Sequence, residues 1–149
     1  MFYNNKAYRV ALEEYEPLYP LLKHKPGFLF EAAQCLSKTR QFEQANEYLR
    51  RAVLLSADPM LYYMMAKNEQ SLGQYRQAEK HLLHAIDILP ERIYPYYLLM
   101  NLYTEPSYFQ PAKLKMAIDS VLTKKPKVES SAIKEMKEKA RSMLNNTSI

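Results

Sequence analysis

A chain of 149 residues, of which 48% are hydrophobic and 25% charged, is long enough for one globular domain and too apolar to be disordered. Its two glycines are too few for a fold rich in tight turns, strand bulges or phosphate-binding loops, so the composition favours helices. The single cysteine excludes an internal disulfide, and we expect a soluble domain because no apolar run is long enough for a membrane span or a secretion signal.

The net charge of +5 is unevenly distributed along the chain. Residues 1–112 are neutral overall, whereas residues 113–149 hold nine Lys and Arg against four Asp and Glu. Two interpretations are open for this basic segment. It is the solvated outer face of a terminal helix, or it contacts a phosphate-rich surface such as anionic lipid or nucleic acid.

The N-terminal segment, residues 1–25, is predicted to be a helix that Pro17 and Pro20 kink or break, since proline interrupts the helical hydrogen bonds. Its expected apolar face consists of Val10, Ala11, Leu18 and Leu22.

Two stretches 33 residues apart share one apolar pattern: Phe42, Ala45, Leu49, Ala52 and Val53 match Tyr75, Ala78, Leu82, Ala85 and Ile86. Alanines seven residues apart on an apolar helix face let a second backbone approach closely, and their recurrence at this period indicates stacked helix pairs. We predict three pairs, at residues 26–58, 59–92 and 93–125, in which Pro59 begins a helix and Gly73 ends one in the left-handed conformation.

The third pair departs from the pattern, because Asp119 stands where the earlier pairs have alanine. Its neighbouring apolar positions indicate that this helix is rotated relative to its counterparts. We then predict a capping helix over residues 126–144, begun by the hydroxyl of Ser130 or Ser131, and a frayed tail at residues 145–149.

The three pairs resemble tetratricopeptide repeats, whose period is about 34 residues. The pattern that carries this resemblance best is Tyr62, Ala66, Gly73, Gln74, Tyr75, Ala78, Leu82, Ala85 and Pro90. The resemblance implies an all-α fold, a right-handed solenoid of antiparallel helix pairs with seven to eight helices and a C-terminal capping helix.

A narrower resemblance involves residues 15–20, 57–62, 92–99 and 127–136. These stretches are similar to the C-terminal repeat segment of O-antigen ligase or polymerase membrane proteins of Bacteroides-type bacteria. The resemblance implies a membrane-embedded parent that handles lipid-linked glycan, and a soluble domain tethered through it to the bacterial inner membrane. None of that family's catalytic machinery is in this sequence.

The sequence offers no catalytic residues, metal site or cofactor site. His81 and His84 lie three residues apart, but no third ligand is near them in sequence, and we expect surface histidines. Cys35 has no CxxC partner and is expected to be a small buried residue. Phosphate-loop, zinc-protease and serine-hydrolase motifs are not found.

The first helix of each pair is expected to line the inner, concave groove of the array. Helical spacing puts aromatic residues at equivalent points of the three first helices, each followed one turn later by a polar residue. These candidate partner-binding residues are Phe30, Gln34, Tyr63, Lys67, Tyr97 and Asn101. Such a ridge suits an extended peptide, or a sugar chain whose apolar ring faces stack on tyrosine. The alternative is that these rings only pack against neighbouring repeats.

The favoured function is therefore a non-catalytic protein-interaction scaffold, with glycan binding as the alternative. A nucleic-acid partner is disfavoured because the basic C-terminal residues do not interleave with the tyrosine ridge, as a stacking platform requires. An enzyme is the least favoured class, since no nucleophile–base pair or metal set is evident.

Overall fold

The structure is a computed structural model that describes residues 2–146 of the chain. In that range the polypeptide forms nine α-helices: α1 Phe2–Tyr15, α2 Tyr19–Leu22, α3 Pro26–Lys38, α4 Phe42–Val53, α5 Pro59–Ser71, α6 Tyr75–Ile88, α7 Tyr94–Tyr103, α8 Pro111–Thr123 and α9 Ser131–Asn146. Short 3-10 turns occupy Glu16–Leu18 and Pro106–Tyr108. The predicted all-α fold of consecutive helix pairs is confirmed, with eight longer helices and the four-residue α2.

The described residues divide into two compact units, the first ending at Gln74 and the second beginning at Tyr75. In the first unit α3 packs against α1 and α4, and α5 packs against α4 and also contacts α3. In the second unit α7 packs against α6 and α8, and α9 packs against α8 and also contacts α7. The division falls between the two helices of the predicted pair at residues 59–92, and the repeat bounds remain predictions.

The recurring alanines are buried in both units, as their spacing predicts. Ala45 and Ala52 belong to the apolar core of the first unit, and Ala78 and Ala85 have no exposed surface in the second. The core of the first unit consists of Leu12, Leu29, Ala33, Cys35, Leu36, Ala45, Leu49, Ala52, Leu61 and Met65. Small side chains at the helix contacts therefore allow close packing in each unit.

The expected apolar face of the N-terminal helix is wrong at Val10 and Leu18, although Ala11 packs against the core as expected. Val10 is 51% exposed and Leu18 is also exposed, whereas Leu12 is 6% exposed and belongs to the core. Tyr8, Ala11, Tyr15 and Tyr19 pack against that core. The buried stripe is thus rich in tyrosine, which has an apolar ring and a polar hydroxyl group. A search for aliphatic residues alone does not identify such a stripe. The predicted break is confirmed, because α1 ends at Tyr15 and Pro17 lies in the 3-10 turn that follows.

Proline stands in the first turn of four of the longer helices, and at Pro59 this is the helix start that the sequence predicts. The helices α3, α5, α7 and α8 each have proline in the first turn, where the missing N–H costs no helical hydrogen bond. The Asp58 carboxylate accepts a hydrogen bond from the Met60 N–H at 3.0 Å and caps α5. Gly73 is left-handed, with φ of 76°, and confirms the predicted helix end.

The second unit confirms the rotated helix and the capping helix. Leu114, Ala117, Ile118 and Val121 are buried on α8, while Asp119 is exposed. On α9, Ala140 is buried, and four apolar residues are half-buried: Ile133, Met136, Met143 and Leu144. The Ser130 hydroxyl accepts a hydrogen bond from the Ile133 N–H at 3.2 Å. The helix α9 continues to Asn146, and residues 147–149 of the predicted frayed tail lie outside the described residues.

Candidate functional site

In the first unit, four of the predicted partner-binding residues lie on two helices that contact each other. The helix α3 carries Phe30 and Gln34, both half-buried, and α5 carries Tyr63 and Lys67. Phe30 packs against the apolar core, and Tyr63 is only 7% exposed, whereas Lys67 is exposed. Gln34 and Lys67 therefore offer more polar surface to a partner than Tyr63 offers aromatic surface.

In the second unit, the remaining two predicted residues lie on α7. Tyr97 and Asn101 are half-buried, and the Tyr97 ring stacks on that of Tyr94 with centroids 6.4 Å apart and an interplanar angle of 23°. The Lys139 ammonium, from α9, lies 5.6 Å from the Tyr97 ring centroid. The predicted aromatic position is thus part of a tyrosine pair bordered by a lysine of the capping helix.

A second lysine approaches a neighbouring tyrosine of the same unit. Lys124 is the residue directly after α8, and its ammonium group lies 4.9 Å from the centroid of the Tyr96 ring. The expectation that basic C-terminal residues do not interleave with the tyrosine ridge is therefore wrong for Tyr97, the ridge residue that Lys139 approaches. The reason is tertiary, because packing of α8 and α9 on α7 brings together residues that are far apart in sequence.

A chain of neutral polar side chains crosses the interior of the first unit. Ser37 donates a hydrogen bond to Asn68 Oδ1 at 2.8 Å, and Asn68 Nδ2 donates to Asn46 Oδ1 at 2.8 Å. Asn46 Nδ2 in turn donates to the Met65 carbonyl oxygen at 3.3 Å. Asn46 on α4 is thus joined through side-chain and backbone groups to α5, the next helix along the chain.

The corresponding position of the second unit holds a carboxylate. Glu79, 33 residues after Asn46, is 7% exposed on α6 and accepts hydrogen bonds from the Tyr103 and Tyr108 hydroxyls at 2.6 and 2.5 Å. Lys113 Nζ donates to it at 2.9 Å. Burial raises the pKa of the Glu79 carboxyl, but the three hydrogen bonds and the Lys113 charge outweigh it and hold that pKa below its usual value. Burial and the bond to Glu79 raise the pKa of the Tyr103 hydroxyl. The Glu79 cluster therefore ties α6 to α7, to the following 3-10 turn and to α8.

The end of α8 is capped by a lysine from α9. Lys137 Nζ donates to the carbonyl oxygens of Val121, Leu122 and Lys124 at 2.9, 3.2 and 2.9 Å. The last carbonyls of a helix have no partner within it and carry partial negative charge, so an ammonium group is well suited to them. One member of the basic segment is therefore a structural cap.

The histidine pair and the cysteine that the sequence analysis considered lie on α6 and α3. His81 is half-buried and His84 exposed on α6. Cys35 is buried as expected, and burial, together with the Glu31 carboxylate, raises the pKa of its thiol. Across residues 2–146, no three His, Cys, Asp or Glu side chains are grouped so that they could hold a metal ion. No helix in this part of the chain has the length and hydrophobicity needed to cross a membrane.

Comparison with known proteins gives one family match. The family model described as anaphase-promoting complex, cyclosome, subunit 3 (ANAPC3) matches residues 4–85, which is more than half of the chain. No curated protein matches the sequence significantly.

Several solved structures share the fold at low sequence identity. A crystal structure of MamA has a TM-score of 0.72 and 17% identity, covering 93% of this chain and 79% of that one. Another crystal structure of the MamA protein has a TM-score of 0.70 and 17% identity, covering 97% and 90%. MamA 41-end from Desulfovibrio magneticus RS-1 has a TM-score of 0.67 and 17% identity, covering 90% and 68%. At these identities the likeness establishes the helical-repeat fold alone.

Proposed function

The chain belongs to the ANAPC3 family of tetratricopeptide-like repeat proteins, and on this premise we propose that it is a non-catalytic scaffold that binds a protein partner. The proposed partner is an extended peptide on the face of the first unit that carries Phe30, Gln34, Tyr63 and Lys67. In the second unit, Tyr97 and Asn101 on α7 are proposed as a binding position of their own. Repeat folds of this kind work through extended surfaces rather than through a reaction centre.

The observation that supports this proposal most directly is the solvent exposure of polar side chains on α3 and α5. Gln34 is half-buried and Lys67 exposed on two helices that contact each other, while their other faces form the core. An amide and an ammonium group can hydrogen-bond the backbone and the acidic groups of a peptide. The half-buried Phe30 ring supplies apolar surface one turn before Gln34.

Peptides selected from a display library on the immobilised full chain test this function. We expect the Gln34→Ala/Lys67→Ala double variant to weaken binding of a selected peptide by about tenfold or more, measured by calorimetry. A matched control, Glu47→Ala/Arg50→Ala on the exposed side of α4, is expected to leave the dissociation constant unchanged. Equal loss in both double variants would contradict the proposed face, and failure to select any peptide would contradict the scaffold function.

We extend the proposal to the context of the chain, as an accessory segment of a membrane O-antigen ligase or polymerase, with glycan binding as the alternative function. The support is the similarity of residues 15–20, 57–62, 92–99 and 127–136 to that repeat segment. The reading frame upstream of the Met1 codon tests it. We expect a series of transmembrane segments there, and an in-frame stop codon would contradict the proposed parent.

A further inference from the structure

A surface of tyrosine and lysine in the second unit includes Tyr97, which is also a proposed partner-binding residue, and four residues that the scaffold function does not use. We call it the tyrosine–lysine surface. It consists of Tyr94, Tyr96 and Tyr97 on the first turns of α7, Lys124 after α8 and Lys139 on α9.

The geometry of this surface alternates rings with cations. Tyr94 and Tyr97 form a stacked pair, and Lys139 and Lys124 lie 5.6 and 4.9 Å from the centroids of Tyr97 and Tyr96. The three tyrosines and Lys124 are half-buried, and Lys139 is exposed, so a ligand can reach the surface.

The charge around the surface favours an anionic ligand. Lys125 and Lys127 are exposed directly after Lys124, in the segment that carries the chain's whole basic excess. Positive charge concentrated in this way attracts polyanions and accelerates their association.

We propose that the tyrosine–lysine surface binds single-stranded nucleic acid. Proteins that bind single strands combine a basic track for the phosphates with aromatic rings on which the bases stack. A phosphate draws the ammonium of Lys139 or Lys124 towards itself, and the ring face that the ammonium covered then becomes available to a base. This exchange is favourable, because an exposed cation–π contact is weaker than a base–aromatic stack. A duplex is not expected to bind in this way, since its bases are stacked inside it.

Fluorescence anisotropy with a labelled oligo(dT) of about 12 nucleotides, added to the full chain, tests the proposal. We expect Tyr97→Ala to weaken binding by at least about fivefold, the lower limit for the loss of one base–aromatic stack. Tyr97→Phe keeps the ring and is expected to bind like the wild type. The thermal midpoint of each variant, measured by circular dichroism, separates loss of binding from loss of folding.

A charge-matched pair of variants separates this surface from a general attraction to positive charge. Lys139→Gln is expected to reduce the slope of log affinity against log salt concentration by about 0.7, the value for one phosphate contact of a single strand. Lys115→Gln removes the same charge from an exposed position on α8 and is expected to leave the slope unchanged.

Three results would overturn the proposal. The first is an equal effect of Lys115→Gln and Lys139→Gln, and the second is affinity that does not change with salt. The third is binding of polygalacturonate, an acidic glycan, by a protein that does not bind oligo(dT). The scaffold function is tested by variants of Gln34 and Lys67 in the first unit, so the two proposals, which share only Tyr97, can fail separately.

Discussion

Arg40 and Gly73 end their helices in the same left-handed conformation, 33 residues apart, with φ of 64° and 76°. In both places the N–H of the following residue donates a hydrogen bond to the carbonyl oxygen five residues before it. Gln41 donates to Leu36 and Gln74 donates to Glu69, each at 2.8 Å. This is the Schellman arrangement, which satisfies carbonyl groups at a helix end. Arginine pays a steric cost at this conformation that glycine avoids.

The two glycines allow that cost to be measured, because an added Cβ atom meets nothing within 4 Å at either position. We expect Gly73→Ala to lower the free energy of unfolding by about 1 kcal/mol, since only its positive φ opposes a side chain. Gly27→Ala, in the first turn of α3 at ordinary φ, is expected to raise it by up to about 1 kcal/mol. Urea denaturation compares the two variants, and changes of the same sign would show that backbone conformation does not decide the outcome.

At the scale of the element, the contact between α8 and α9 includes one amine that caps a helix end. Lys137 donates to three carbonyl groups at the end of α8, beside the apolar packing of the two helices. Without the ammonium group, those three carbonyl oxygens would accept hydrogen bonds from water or have no hydrogen-bond donor.

We therefore expect Lys137→Gln to destabilise the protein by about 1–2 kcal/mol, because charged hydrogen bonds to a helix end are lost. Lys134→Gln, which removes the same charge from an exposed position of α9, is expected to change stability by less than about 0.5 kcal/mol. Chemical denaturation at low salt gives both values. Equal destabilisation by the two variants would mean that net charge, and not the cap, is responsible.

The sequence predicts what depends on local rules and misses what depends on packing. Pro59 and Gly73 mark helix ends correctly, because their effects on φ and on hydrogen bonding act within a few residues. The buried face of α1 is missed, since Tyr8 and its neighbouring tyrosines are amphipathic and do not stand out in an aliphatic pattern.

The candidate site shows the same division between local and tertiary information. Periodicity predicts that Tyr97 lies on the groove-lining face of α7, and the structure shows that its side chain is half-buried. No spacing rule predicts that Lys139 lies over its ring or that Lys137 turns towards α8. Both contacts join different helices, and their geometry is set by how α9 packs.

At the scale of the whole molecule, the two units differ in the charge of the polar residue at one equivalent buried position. In the first unit, Asn46 and Asn68 form a neutral pair, whereas the equivalent position of the second unit holds the Glu79 carboxylate with its tyrosine and lysine donors. Neutral amides do not titrate, so only the second cluster contributes a dependence on pH.

We expect Glu79→Gln to destabilise the protein at pH 7 by about 1–3 kcal/mol, the range for hydrogen bonds to a charged group. Folding lowers the pKa of the Glu79 carboxyl, so its contribution is complete above the usual value of 4.5 and is lost as pH falls through the lower folded-state value. The difference between Glu79→Gln and the wild type should therefore shrink in acid.

Asn46→Ala is the control, because it disrupts the neutral pair and is expected to cost about the same free energy at both pH values. Urea denaturation of the three proteins at pH 7 and in acid makes the comparison. A Glu79→Gln deficit that stays constant with pH would contradict a carboxylate role.

The buried polar partners also limit how this gene can grow by duplication. Asn46 bonds to α5 and Glu79 to α7, so each second helix is matched to the first helix of the following pair. The sequence period suggests a repeat made of a first helix and its own second helix. If that segment were duplicated, a new second helix would face a first helix without its hydrogen-bond partners, and an amide or carboxylate would be buried unpaired. The segment that keeps Asn46 with its partners on the next helix begins one helix later and runs from a second helix to the next first helix, as in α4–α5. A copy of the Glu79 cluster would also have to include Tyr108 and Lys113, which follow α7. The heritable module of this protein is therefore offset by one helix from the repeat that its sequence displays.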